Sequence, residues 1–209
     1  MNLPKLILLS GFLGTGKTTL LNETIRFLNK KNMKTAIIIN EAGETGVDNR
    51  YLKKKGYENI KELFGGCICC TMAENLREMV EDLVKTEKVE VILMEPSGTA
   101  DPAAIYKPLE RAGYTPETIH HVALLDPLRA EAFLGVLEPL FESALPLSEC
   151  IILSKTDLAT PEMMSFSENL IHRYNTSAPI LKMNLREGLN KNYCDYLNTF
   201  LDPSVVEVV

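Results

Sequence analysis

The run Gly11-Phe12-Leu13-Gly14-Thr15-Gly16-Lys17-Thr18-Thr19 meets the spacing G-x-x-x-x-G-K-[ST] at Gly11, Gly16, Lys17 and Thr18. Glycines at 11, 14 and 16 let backbone N–H groups close around phosphate oxygens, and the N-terminus of a following helix adds its positive end. Thr15 and Thr19 complete the loop, Lys17 can reach terminal phosphates, and Thr18 can ligate Mg²⁺. A glycine-rich strand-to-helix turn without a ligand is the plainer alternative. The context, an apolar run before and an amphipathic stretch after, is the one a phosphate loop requires.

The loop alone does not choose a nucleotide, because kinases and ATPases also carry it. Ser154-Lys155-Thr156-Asp157 follows the apolar run Cys150–Leu153 and resembles the guanine-reading N-K-x-D, with Ser in place of Asn. There, Asp157 would accept from the guanine ring N–H and exocyclic amine while the Lys155 stem packs on the ring face. Adenine offers no such donor pair. Ser154 weakens the expected tie between the base loop and the phosphate loop.

Cys67, Cys69 and Cys70 lie within four residues in Gly65-Gly66-Cys67-Ile68-Cys69-Cys70-Thr71. Three thiolates so close can converge on one soft or borderline cation. A closed structural site takes four protein ligands, and the other two cysteines, Cys150 and Cys194, lie far along the chain. Three thiolates with an open position suit a metal that is carried and released. A reduced, partly buried cysteine turn or a redox pair is the alternative. Asn40 to Asp48 is rich in carboxylate and glycine, and Glu41, Glu44 or Asp48 could position water. Glu95 follows the apolar run Val91–Met94, where an acid can hold Mg²⁺ through water, and the Gly98 N–H could sense a γ-phosphate. His120, His121 and His172 show no spacing to the cysteines and read as structural, and the eight methionines read as core filler.

These residues need a frame. Strand-like runs are expected at Leu6–Ser10, Thr35–Asn40, Val89–Glu95, His121–Asp126, Cys150–Ser154 and Pro179–Met183. Helix-length amphipathic stretches alternate with them at Thr18–Lys30, Ala73–Thr86, Pro102–Ala112, Arg129–Phe141, Glu162–Tyr174 and Leu189–Phe200. The alternation predicts an α/β fold, a P-loop NTPase three-layer sandwich with a mainly parallel central sheet. The chain of 209 residues is 45% hydrophobic and 24% charged, which suits one packed domain. A net charge of −6 argues against a nucleic-acid partner. No apolar run is long enough to span a bilayer, and without a recognisable signal segment a cytoplasmic location is expected.

In order, GFLGTGKTTL, NEAGETGVD, GGCICCT, the E-x-S-G at 95–98 followed by Ala100-Asp101-Pro102, and SKTDL resemble the CobW-type metallochaperone GTPases, relatives of HypB and UreG. The resemblance covers Leu3 to about Phe200. It implies a SIMIBI-class GTPase with slow, Mg²⁺-dependent hydrolysis of GTP to GDP. It also implies transition-metal binding at Cys67, Cys69 and Cys70 linked to the nucleotide state, with Zn²⁺ or Co²⁺ as cargo. A metalloprotein client and a nucleotide- or metal-dependent homodimer follow from the same resemblance. Ala42 stands where the family has Phe, and the sequence reaches Val209 without a counterpart of the family's C-terminal domain. One P-loop GTPase domain over 1–209 is therefore expected.

Three other readings stand beside it: an accessory GTPase for a corrinoid protein or methyltransferase, a nucleotide-gated metal sensor or buffer, and a P-loop kinase with structural cysteines. A kinase needs a basic lid, and Arg129 is isolated in the sequence.

Overall fold

A computed structural model describes residues 3–41, 60–64, 71–96 and 102–202. The elements run β1 (Lys5–Gly11), α1 (Lys17–Lys30), β2 (Thr35–Glu41), β3 (Ile60–Phe64), α2 (Thr71–Asp82), β4 (Val91–Glu95) and α3 (Pro102–Arg111). They continue through β5 (Ile119–Leu125), α4 (Ala130–Ala144), β6 (Cys150–Ser154), α5 (Pro161–Tyr174), β7 (Ile180–Met183) and α6 (Lys191–Leu201). The seven strands form one sheet in the order β3-β2-β4-β1-β5-β6-β7, and every pairing is parallel. The expected α/β sandwich is thus observed.

Alternate β1 residues explain the layers. Ile7 and Leu9 pack with Leu20, Leu21, Ile25 and Leu28 of α1 and with Tyr193 and Leu197 of α6. Leu6 and Leu8 face the other way, onto Leu76 and Val80 of α2 and Ile105 and Leu109 of α3. Phe12, Leu125, Ile151 and Leu153 pack on α4 and α5 through Phe141, Leu170 and Ile171. A strand buried on both faces must be apolar at every position, and Leu6 to Leu9 are each 0% exposed.

Most expected elements are found with ends shifted by one or two residues, and three differ further. No strand is expected at β3, since Ile60-Lys-Glu-Leu-Phe64 has neither alternation nor a continuous apolar run; among the described residues it is an edge strand paired with β2 alone. The helix expected to reach Thr86 gives way at Leu83–Glu87 to a π-turn closed by Lys88 at φ 53°. Helix α4 continues past Phe141 despite Pro139, because a kink at Leu137 (φ −130°, ψ 26°) absorbs the proline.

All strands are parallel, so their carboxyl ends share one edge of the sheet. The order reverses at β1, with β4 on one side and β5 on the other. That switch point is where open α/β sheets leave a crevice for a ligand.

Candidate functional site

The phosphate loop leaves β1 at this crevice. Just before it, Ser10 Oγ hydrogen-bonds His121 Nε2 at 2.7 Å, and both side chains are buried. The neighbouring Leu147 carbonyl, 3.2 Å from His121 Nδ1, can only accept, so Nδ1 carries the proton and Nε2 accepts from Ser10. Tyr106 Oη lies 3.0 Å from the same Nδ1. Burial dominates at this imidazole and lowers its pKa to about 4. His120 is also buried and stacks on Phe200, whereas His172 is exposed in the last turn of α5. The structural reading of His120 and His121 matches their placement.

Gly11 turns the chain with φ 134°, and a Cβ there would meet the Leu124 carbonyl of β5 at 2.5 Å. Gly14 and Gly16 follow at φ 80° and 103°. A Cβ on Gly16 would lie 3.0 Å from Leu185, and one on Gly14 would lie 3.1 Å from the Arg129 guanidinium. At Gly11 the loop therefore approaches backbone more closely than a side chain permits, whereas at Gly14 and Gly16 a side-chain neighbour would have to give by a few tenths of an ångström. Thr15 closes it, donating from Oγ1 to the Phe12 carbonyl at 2.8 Å. Gly16 caps α1, whose first turn holds no acidic residue, so its N-terminal N–H groups keep their positive end. Lys17 is 6% exposed and donates to the carbonyls of Gly11 (2.8 Å) and Phe12 (3.2 Å). Its ammonium thus lies over the loop.

Thr18 Oγ1 donates to Glu95 Oε1 at 3.3 Å, across 77 residues. The pairing of β1 with β4 brings them together and buries Glu95. An oxygen-only donor pair at the head of a phosphate loop suits a hard divalent cation such as Mg²⁺. Thr19, the next residue, is exposed on α1.

The second half of the crevice lies beyond β6. Ser154 Oγ donates to the Leu125 carbonyl (3.3 Å), and Lys155, at φ 54°, donates from Nζ to Asp126 Oδ2 at 2.6 Å. Asp157 is exposed on the wall of a cleft of about 470 Å³ shared with Thr156, Asn184, Glu187 and Asn190. In the same cleft, Asn184 organises a tight turn. Its Oδ1 accepts from the Arg186 N–H (3.1 Å) and its Nδ2 donates to Glu187 Oε1 (2.8 Å). Leu185 of that turn is the residue that would touch a Cβ on Gly16, so the turn joins the cleft to the phosphate loop.

Sequence reasoning missed the Asn184–Asn190 segment, Asp126 and the setting of Arg129. The signals present were Asn184 and Gly188 after an apolar strand, which mark a turn but not its neighbours. Arg129, isolated in sequence, donates from Nη1 to the Leu13 carbonyl (3.1 Å) and stacks over Phe133.

Glu41 is the last residue of β2, paired in register with Phe64. Glu44, Asp48, Cys67, Cys69, Cys70 and Gly98 lie outside the described residues. Among the described residues no group of three or more His, Cys, Asp or Glu could hold a metal ion, and no helix is long and apolar enough to cross a membrane. Cys150 is buried in β6, where desolvation pushes its thiol up to about 12. Cys194 sits on α6 with its thiol also raised by burial. Neither is a thiolate at neutral pH.

Comparison with known proteins agrees with this geometry. The chain is 31% identical over 169 residues to the zinc chaperone YeiR of Escherichia coli K12, covering 80% of this chain and 50% of that protein. It is 31% identical over 192 residues to the zinc chaperone YjiA of the same organism, covering 86% of this chain and 57% of that one. It thus spans about half the length of such relatives. The crystal structure of Zn(II)-bound YjiA GTPase superposes with a TM-score of 0.60 at 25% identity over 92% of this chain and 63% of that one. HypB from Helicobacter pylori, in complex with nickel, superposes with a TM-score of 0.67 over 96% of this chain and 88% of that one. Its 17% identity speaks for the fold alone. A glycine loop, a threonine–glutamate pair and an adjoining cleft lie along one edge of the parallel sheet; the family model matches residues 5–182, and the chain belongs to the CobW/HypB/UreG nucleotide-binding-domain family.

Proposed function

We propose that residues 1–209 act as one P-loop GTPase domain that binds GTP with Mg²⁺, hydrolyses it slowly, and couples the nucleotide state to binding and delivery of a transition metal. The observation that carries this reading is the convergence of two distant segments on one crevice. The Thr18–Glu95 pair sits on the phosphate side, and Asp157 lines a cleft shared with Asn184 and Glu187, whose turn carries Leu185 beside Gly16. In it, Gly11, Gly14, Thr15, Gly16 and Thr19 belong to the phosphate cradle. Lys17 stabilises charge on the terminal phosphates, trading its loop carbonyls for phosphate oxygens. Thr18 and Glu95 hold Mg²⁺, which when bound neutralises charge on the β- and γ-phosphates. Lys155 lies along the base face and Asp157 reads the base edge. Glu41, Glu44 or Asp48 positions the attacking water, and the Gly98 N–H meets the γ-phosphate.

The cargo metal is held by the thiolates of Cys67, Cys69 and Cys70. Zn²⁺ is favoured over Co²⁺ because the relatives YeiR and YjiA are zinc chaperones. GTP orders the 41–48 loop and the cysteine turn together, and hydrolysis releases the metal to a metalloprotein client. A homodimer formed in one nucleotide or metal state fits this cycle.

The test is a titration of Zn²⁺ and Co²⁺ into the reduced, metal-free chain with Mg²⁺ and either a non-hydrolysable GTP analogue or GDP. Thiolate-to-cobalt charge transfer is monitored, with Cys69→Ser as the control. Bands that strengthen with the GTP analogue and vanish in the variant are expected. Equal metal affinity in both nucleotide states overturns the coupling. Absence of thiolate ligation in every state overturns the metal function and leaves a GTPase, or a kinase with structural cysteines.

A further inference from the structure

The base loop carries Ser154 where an asparagine would tie it to the phosphate loop, yet the two loops are tied. The turn Asp126-Pro127-Leu128-Arg129 after β5 lies between them and touches both. On the base side, the Asp126 carboxylate is 0% exposed. It accepts from Lys155 Nζ at 2.6 Å on one oxygen and from the Leu128 N–H at 3.1 Å on the other. Ser154 Oγ adds a bond to the Leu125 carbonyl. On the phosphate side, the Asp126 carbonyl accepts from the Arg129 N–H (3.1 Å), and the Arg129 guanidinium donates to the Leu13 carbonyl (3.1 Å).

Lys155 has φ 54°, a left-handed conformation that a non-glycine residue keeps only when its surroundings hold it there. Its backbone also opens a tight turn, the Lys155 carbonyl accepting from the Leu158 N–H at 3.0 Å, and that turn contains Asp157. The Asp126 carboxylate is buried while the Lys155 side chain is partly exposed, so removing the lysine would leave a buried charge without its cation and the pair is costly to break. The direction in which the chain leaves Lys155 then decides where Asp157 meets the cleft.

We propose that Asp126 is a positioning residue for base recognition. Through the Asp126–Lys155 pair it aims Asp157 at the base edge, and the 126–129 turn replaces the tie that Ser154 lacks. The proposal rests on the guanine-nucleotide reading of the site.

The experiment measures dissociation constants of GDP and of inosine diphosphate, which lacks the exocyclic amine, in the presence of Mg²⁺. It uses the full chain as wild type, Asp126→Asn, Lys155→Met and the double variant. The wild type prefers GDP by on the order of 10-fold or more, the range of a well-placed bidentate base contact. In Asp126→Asn the preference falls to roughly 3-fold or less. In the Lys155→Met background, Asp126→Asn causes no further fall, because it acts only through the lysine. A merely structural role would weaken both nucleotides alike and leave their ratio intact. An Asp126→Asn protein with the wild-type ratio overturns the proposal, as does a further fall in the double variant. Where Asp126→Asn alone does not fold, the double variant, free of an uncompensated buried charge, decides by the same comparison with Lys155→Met. A wild type without preference for GDP overturns the guanine reading itself, and that result appears before any variant is made.

Discussion

Replacing Gly11 by alanine tests whether the phosphate loop is shaped by close backbone approach. The residue has φ 134°, and its added Cβ would sit 2.5 Å from the Leu124 carbonyl, 3.0 Å from Thr15 Oγ1 and 3.2 Å from Leu124 Cβ. The first neighbour is backbone in the strand paired with β1, so no side-chain rotation relieves it. Strain at positive φ costs about 1–3 kcal/mol. Forcing a methyl group into filled space adds about 1–3 kcal/mol. The sum, about 2–6 kcal/mol, is a large part of the 5–15 kcal/mol that holds a typical domain, approximately. Relief would come from parting the ends of β1 and β5, which also displaces the Lys17 acceptors at Gly11 and Phe12.

The matched control is Gly135→Ala in α4, where an added Cβ meets nothing within 4 Å. There the exchange should leave stability unchanged or raise it by up to about 1 kcal/mol. Urea unfolding of both variants at a common m-value measures the difference, and binding of a fluorescent guanine nucleotide reports the loop. A Gly11→Ala protein within about 0.5 kcal/mol of wild type would refute the reasoning, since surface substitutions produce changes of that size.

Two further outcomes concern the interior. His121 has a folded pKa of about 4 against an ordinary 6.5, so the unfolded chain takes up its proton first. Stability is therefore complete above pH 6.5 and falls as the pH drops toward 4, with a slope near 1.4 kcal/mol per pH unit and a total on the order of 3 kcal/mol. Unfolding free energies across this window, compared with His121→Asn, check it; the same slope in both proteins would sink the assignment. Asn175 donates to the carbonyls of Leu145 (2.8 Å) and Ser148 (2.9 Å) and accepts from the N–H groups of Ser177 (3.0 Å) and Ala178 (2.9 Å). Asn175→Ala removes all four bonds, although the Leu145 carbonyl keeps the Ser148 N–H, and should cost about 3 kcal/mol in chemical denaturation, against a refuting value under about 1 kcal/mol.

The phosphate loop was legible because its determinants are contiguous. Three glycines that accept positive φ, a lysine and a threonine at the helix start specify the turn from within one stretch of chain. The buried strands were legible for a similar reason, since Leu6–Leu9 and Cys150–Leu153 are apolar at every position. The same property hid their arrangement. Strands buried on both faces look alike, so nothing local orders them as β3-β2-β4-β1-β5-β6-β7. Strand order is what sets Glu95 beside Thr18 across 77 residues, Asp126 beneath Lys155 across 29, and Arg129 against Leu13 across 116. It also brings Asn184 and Glu187–Asn190 into the same cleft as Asp157. A short strand such as β3, with one pairing partner among the described residues and two charges in five residues, left no pattern to read. Residue chemistry and local conformation were therefore determined by sequence alone. The pairings that bring the glycine loop to the cleft lined by Asp157 were decided by tertiary structure, because they depend on which strands become neighbours.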